Sequence, residues 1–226
     1  MDSVPELMLI DKPKGITSFG VIGRLRRRLG IKKIGHAGTL DPLATGLMII
    51  GIGPGTKRLT ELVKLDKEYL AEVLIGERRS TGDMEGVVLD EKIVSETVEI
   101  LRNKISVALE DMIGELTLEV SSYSAIKVDG VPMYKRARKA EKTGEVVTDL
   151  PTRTMKVFEV ELFKVEVIGE RAVATVRFKV GSGTYIRSLA EELGRKINYP
   201  ATLQNLRRIK VGKFDIEMAQ QIADIK

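Results

Sequence analysis

The segment Gly35-His36-Ala37-Gly38-Thr39-Leu40-Asp41-Pro42-Leu43-Ala44-Thr45-Gly46 sets one carboxylate among small and apolar residues. Glycine permits backbone angles and close approaches that side chains resist, and Pro42 fixes φ just after Asp41 and removes an amide donor. An acid held in a preset pose suits chemistry. The same Asp-Pro pair is also a good helix start with Asp41 as N-cap, and spacing alone leaves both readings open. A second feature, Gly51, Gly53 and Gly55, invites a phosphate-loop reading. Thr56 stands where a Walker A glycine belongs, so a turn role is preferred.

These residues need elements to hold them. Leu7 to Ile10 reads as a short buried strand that runs into a Lys12-Pro13-Lys14-Gly15 turn. Ser18 serves as N-cap of a helix whose Val21, Leu25 and Leu29 share one face, with Gly30 as the stop. Leu47 to Ile50 is a short apolar strand and Thr56 to Leu65 a helix. Glu68 to Ile75 and Gly86 to Leu89 are expected to pair as strands, Val98, Leu101, Ile105 and Leu109 mark an amphipathic helix, and Leu116 to Val120 returns to strand. Residues 123–148 turn polar and strongly basic around Gly130, Pro132 and Gly144, as in a mobile excursion from the core. Thr154–Ile168 and Arg171–Val180 read as an antiparallel hairpin around Gly169, and Thr184 as the cap of a helix carrying Ile186, Leu189, Ala190, Leu193 and Ile197. Without a steady βαβ rhythm the expected class is α+β, a mixed, mainly antiparallel sheet flanked by helices.

Composition narrows the function classes. Thirty-seven Lys and Arg against thirty-two Asp and Glu give a charge of +5 over 226 residues, and the excess is clustered. Arg24, Arg26, Arg27, Arg28, Lys32 and Lys33 form one basic group, Lys135, Arg136, Arg138 and Lys139 a second, and Arg207, Arg208, Lys210 and Lys213 a third. Such asymmetry points to phosphate contact. The absence of cysteine excludes disulfides and thiolate chemistry, and a single histidine argues against a His-rich metal site. No metal and no cofactor are expected. Nothing approaches the roughly twenty apolar residues of a membrane span, so a soluble cytoplasmic protein is expected.

Taken with Asp66-Lys67-Glu68-Tyr69 and Gly183-Thr184-Tyr185-Ile186-Arg187, the acidic loop resembles the catalytic loop of the TruB family of tRNA pseudouridine synthases. The ordered motifs cover most of the chain. The resemblance implies an isomerase that turns uridine into pseudouridine at nucleotide 55 of the tRNA T arm by base flipping. In that pattern Asp41 matches the essential aspartate, Tyr69 the tyrosine that stacks on the extruded uracil, and Arg187 the arginine that pairs with the aspartate. Leu206 matches an apolar residue of the uracil pocket, and His36 a histidine that contacts RNA near the flipped base. Lys12 and Pro13 match a motif that buttresses the loop, with Lys12 carried as a substrate-side residue. The basic lobe, 123–148, matches an RNA-clasping thumb, with Tyr123, Lys127, Lys135, Arg136 and Arg138 as its candidate contacts. The partner implied is the tRNA T stem-loop, met by a monomer.

Two departures qualify the resemblance. Val120, Ser121 and Ser122 stand where relatives carry paired prolines, so the start of the thumb is expected to be less rigid. The chain ends soon after Gly212-Lys213-Phe214, where many relatives continue into a small PUA-like RNA-binding domain, so residues 1–226 are expected to form one catalytic domain. The competing readings are a dyskerin-type guided synthase, a tRNA-folding chaperone using the same cleft, and a nucleotide-dependent transferase built on the glycine loop.

Overall fold

The structure, a computed structural model, describes residues 4–124, 126–143 and 150–225, with the backbone alone at 138, 141 and 142. In chain order the elements are β1 (Leu7–Lys12), α1 (Ser18–Leu29), β2 (Ile34–His36), β3 (Thr45–Ile52), α2 (Leu59–Leu62), β4 (Lys67–Ile75), β5 (Glu77–Arg79), β6 (Val88–Glu91), α3 (Val98–Glu110) and β7 (Gly114–Glu119). There follow β8 (Lys127–Val128), β9 (Val131–Pro132), α4 (Met133–Thr143), β10 (Thr152–Ile168), β11 (Arg171–Val180), α5 (Ile186–Ile197), β12 (Ala201–Val211), β13 (Phe214–Asp215) and β14 (Gln220–Gln221). Two compact units share the chain: Met1–Leu70, Arg177–Gly183 and Asn205–Lys226 form the first, Ala71–Val176 and Thr184–Gln204 the second. Strands β4, β11 and β12 carry residues of both. The class is α+β, a mixed sheet with helices against it.

In the first unit, β1 and β3 pair antiparallel from Leu7↔Gly51 to Lys12↔Gly46, and β2 pairs antiparallel with β3 from Ile34↔Ile52 to His36↔Ile50. Residues Gly46–Ile52 of β3 are all buried, the near-continuous apolar run of a strand covered on both faces. Ala37, Leu47, Ile49 and Val211 form a core cluster there, with Leu59, Leu62 and Leu65 packed against it. Strand β12 lies parallel to β3, placing Arg208 opposite Gly46. A Cβ at Gly46 would stand 2.3 Å from the Arg208 carbonyl oxygen, and φ is +104°, so no other residue fits.

In the second unit β7 pairs antiparallel with β10, and α3 packs against β10 and α5. Helix α5 buries Ile186, Leu189, Ala190, Leu193 and Ile197, the face expected from its period. A short hairpin, β8–β9, turns on Asp129 and Gly130, both at positive φ (+50° and +78°), as a two-residue hairpin turn demands. It leads into α4, whose Met133, Ala137 and Ala140 are buried at helical spacing. The basic segment therefore contains regular structure where an excursion was expected; its part from 144 to 148 lies outside the described residues.

Several sequence expectations are corrected. Thr17, not Ser18, caps α1, its Oγ1 accepting from the Gly20 amide at 2.9 Å. The helix expected over Thr56–Leu65 is a 3-10 turn, Gly53–Arg58, followed by the single turn of α2. Gly55 is needed because a Cβ there would meet the Glu6 carbonyl at 2.0 Å, in line with the turn role preferred for this loop. β4 does not take residues 86–89 as its partner: that segment contributes to β6, which pairs with β5. Tyr185 stands at the N-cap of α5 with no side-chain cap, so Thr184 does not play that part. β12 went unread altogether.

Candidate functional site

Asp41 lies in an irregular loop between β2 and β3. No helix starts at Pro42, which removes the N-cap reading; instead the Ala44 amide donates to the Asp41 carbonyl at 3.1 Å in a local turn. Around the half-buried carboxylate the backbone is tied down residue by residue. The Ser18 hydroxyl donates to the Leu40 carbonyl at 2.9 Å and accepts from the Leu40 amide at 2.8 Å. The Gly15 amide donates to the Pro42 carbonyl at 2.8 Å. Lys12, with no exposed surface, donates from Nζ to the carbonyls of Ala44 (2.5 Å), Pro13 (3.0 Å) and Pro42 (3.4 Å). Arg208, 1% exposed, donates from Nε to Leu47 (2.7 Å) and from its guanidinium to Gly38 (3.2 Å). Leu40, Leu43 and Ala44 are buried beneath. Donors from β1, α1 and β12 thus fix the backbone on both sides of Asp41, which is how a reacting group is preorganised.

Lys12 accordingly acts as a buttress. Its ammonium bonds loop carbonyls and has no exposed surface, which favours the buttress over a substrate-side role. His36, half-buried at the end of β2, has its pKa lowered by burial and by the charge of Arg208, which favours the neutral imidazole. Tyr69 is buried on the β4 face it shares with Lys67 and Ala71, while Glu68 on the other face pairs with Arg177 at 3.3 Å. Leu206 is half-buried on β12, and its carbonyl accepts from Thr45 Oγ1 at 3.4 Å.

Arg187 belongs to the second unit, in the first turn of α5. It is 6% exposed and donates to the carbonyls of Thr81 (2.9 Å) and Tyr123 (3.1 Å), with Asp83 Oδ2 at 3.4 Å. Asp83 is itself held by the Thr81 hydroxyl (2.6 Å) and the Glu85 amide (3.1 Å). Sequence reading missed Asp83, an acid at the end of the turn Ser80-Thr81-Gly82-Asp83 that the sequence does not mark as buried. One turn along α5, burial raises the pKa of Glu191, opposed by Arg78 and Arg187.

Residues 26–186 match the description of the TruB family pseudouridylate synthase, N-terminal domain. The chain is 39% identical over 220 residues to tRNA pseudouridine synthase B of Leifsonia xyli subsp. xyli and 40% identical to that of Corynebacterium efficiens, covering 97% of this chain and 71% of each relative. The chain belongs to the TruB family. Among solved structures it resembles a chain of an H/ACA ribonucleoprotein bound to a substrate RNA containing 2′-deoxyuridine (TM-score 0.66, 25% identity, 96% of this chain). It also resembles a chain of a Cbf5-Nop10-Gar1 complex (TM-score 0.67, 24% identity, 96% of this chain). It spans about half the length of those two chains, 51% and 52%.

Within this TruB-family chain the three basic groups differ. In the lobe, Lys127, Lys135 and Lys139 are exposed, whereas Arg136 turns back to the Val128 carbonyl (2.6 Å) and Asp129 (2.9 Å); the side chain of Arg138 lies outside the described residues. On α1, Arg24 and Arg27 are exposed, as are Lys32 and Lys33 beyond it, while Arg28 caps the carbonyls of Ile222 and Ala223. The third group is mixed: Lys213 is exposed, and the other three are engaged within the protein. Arg207 makes a two-pronged bond to Asp11 (2.7 and 3.1 Å), Arg208 is buried, and Lys210 approaches Asp215 at 3.7 Å. Within that group burial withholds Arg208 from phosphate. Tyr123 anchors the lobe through backbone: its carbonyl accepts from Arg187 and its amide donates to Ser121 Oγ at 3.3 Å. Ser121 in turn donates to the Thr81 carbonyl at 3.0 Å, so hydroxyl bonds restrain the segment where prolines are missing. Among the described residues no helix is long and apolar enough to cross a membrane.

Proposed function

We propose that this chain isomerises uridine to pseudouridine in tRNA, at nucleotide 55 of the T arm. The observation that carries the reading is Asp41 in a loop immobilised by buried donors, within a chain of the TruB family. The reaction breaks the bond between ribose and uracil N1, turns the base, and joins C5 to the same ribose carbon; N1 gains a proton and C5 loses one. Asp41 supplies the carboxylate this requires, by bond formation or by electrostatic stabilisation. Tyr69 stacks on the extruded base, a contact worth about 1–3 kcal/mol. Arg187 supplies positive charge from a site already oriented by Asp83 and by two carbonyls. Leu206 and His36 line the base, and the neutral form favoured at His36 suits hydrogen bonding to RNA rather than charge pairing.

Lys127 and Lys135 of the lobe contact phosphate and help offset the few kcal/mol of nucleotide extrusion. In this reading the chain works as a monomer in the cytoplasm. The test is mass mapping of pseudouridine, after selective derivatisation, in a bare T-arm hairpin incubated with the purified protein. Conversion at the target uridine alone is expected; an unmodified hairpin would sink the reading. The likeness to chains of H/ACA particles gives the guided synthase as second reading. It requires that the hairpin stay unmodified until a guide RNA is supplied.

A further inference from the structure

Lys67, two residues before Tyr69, is a buried cation that the proposed chemistry does not use. It is 5% exposed, and Nζ donates to the carbonyls of Val63 and Leu65, both at 2.5 Å, and to Ser182 Oγ at 3.1 Å. Ser182 donates onward to the Val63 carbonyl at 2.6 Å. Three chain segments therefore meet at one ammonium: the exit from α2, the start of β4, and the turn that follows β11. Alternation along β4 puts Lys67 and Tyr69 on the same buried face. We propose that Lys67 is a positioning residue for Tyr69, fixing the start of β4 against the α2 exit and the β11 turn, and that its charged form is required for full turnover. This rests on the role given to Tyr69 above.

The electrostatics make the charge conditional. All three acceptors are neutral groups. Burial and the charge of Arg208, from β12, push the lysine down to about 8, and Asp66 beside it opposes them. Glu68 points to the opposite face of β4 and is occupied by Arg177. Loss of the proton leaves an amine with two hydrogens for three acceptors and removes the charge that strengthens each bond. One tie then goes and the rest weaken, so the start of β4 is less firmly placed above that pH.

The test measures kcat and KM on the T-arm hairpin from pH 6.5 to 9.5 for the natural protein, Lys67→Met and Ser182→Ala. In the natural protein kcat is expected to fall above about pH 8 while KM holds. Lys67→Met should lower kcat about 10- to 100-fold, the scale of a misplaced catalytic group, and abolish the alkaline limb. Ser182→Ala should keep the limb with a smaller loss. A flat natural profile to pH 9.5, or the same limb in Lys67→Met, which would assign it to the uracil's own ionisation, overturns the proposal. Should Lys67→Met not fold, or the natural protein make no pseudouridine, which would count against the function itself, titration of 13C-labelled lysines in the natural protein still decides. One lysine with a midpoint near 8, shifted in Ser182→Ala, upholds the charge on which the proposal depends. Midpoints all in the ordinary lysine range overturn it.

Discussion

The loop around Asp41 and the basic lobe use the same residue types to opposite ends. Lys12 and Arg208 are buried and give their hydrogens to carbonyls of the loop, so their charge serves the backbone. Lys127 and Lys135 stand exposed on a hairpin and helix, where a cation remains available to phosphate. Arg136, between these cases, is bonded within the lobe to Val128 and Asp129. A cation's task is set by what its donors already hold, and clustering along a chain does not report that.

The largest effect should come from the carboxylate that the buried cations frame. Asp41→Asn is expected to lower kcat/KM by about a thousandfold or more while RNA affinity stays within a few-fold, since shape is kept and only the charge goes. Turnover near the natural rate would end the claim that the loop exists to present this group. Lys12→Met tests the frame itself. It deprives the carbonyls of Pro13 and Ala44 of a donor, while Pro42 keeps its bond from the Gly15 amide, and each buried unsatisfied group costs about 1–3 kcal/mol. Urea unfolding should show a loss of that order or more, together with a fall in kcat larger than any change in KM. A stable, fully active variant would erase the distinction between buried and exposed cations.

How much of this was legible in the sequence depended on whether the governing contact was local. The strands β1 and β3, the helices α1, α3 and α5 and the β10–β11 hairpin follow from periodicity, because each buries one face or both through its own pattern. β12 did not, because its residues Gln204-Asn205-Leu206-Arg207-Arg208 are polar yet lie along β3, with Arg208 buried by bonds to Leu47 and Gly38. Ser18 read as a cap because the competing partner, Leu40, is distant in sequence. Asp129-Gly130 did carry a hairpin signal that the basic composition of the segment obscured. At the site, the glycine and proline setting of Asp41 left two readings open, and Asp41, Tyr69 and Arg187 were singled out by the order of the family's motifs. Asp83 was not, since its place beside Arg187 is made by tertiary packing alone.

A smaller effect separates the lobe's cations. Replacing Lys127 and Lys135 together with Ala should weaken RNA binding and reduce the logarithmic salt slope by about 0.7 to 0.9 for each lost phosphate contact. Arg136→Ala should leave that slope unchanged and instead loosen the β8–β9 hairpin, read as faster amide exchange at Val128 and Gly130. If Arg136→Ala lowers the slope as much as a lysine does, its bonds within the lobe do not withhold it from RNA.

The smallest effect belongs to His36, where the frame reaches the site through charge. Burial and Arg208 hold its pKa below the ordinary 6.5, so between that value and the lowered one the unfolded chain binds more protons than the folded protein. Stability from this group is therefore present above the unfolded value and is lost as pH falls through the window toward the folded pKa. Unfolding free energy should drop from pH 7 to pH 5 in the natural protein and drop less in His36→Gln, which cannot titrate. Arg208→Met should raise the histidine's midpoint, followed by its ring proton resonances, because the second cause of the shift is removed while burial remains. An unmoved midpoint would mean that burial alone sets the histidine, and that the cation bracing the Asp41 loop exerts no field at the residue opening it.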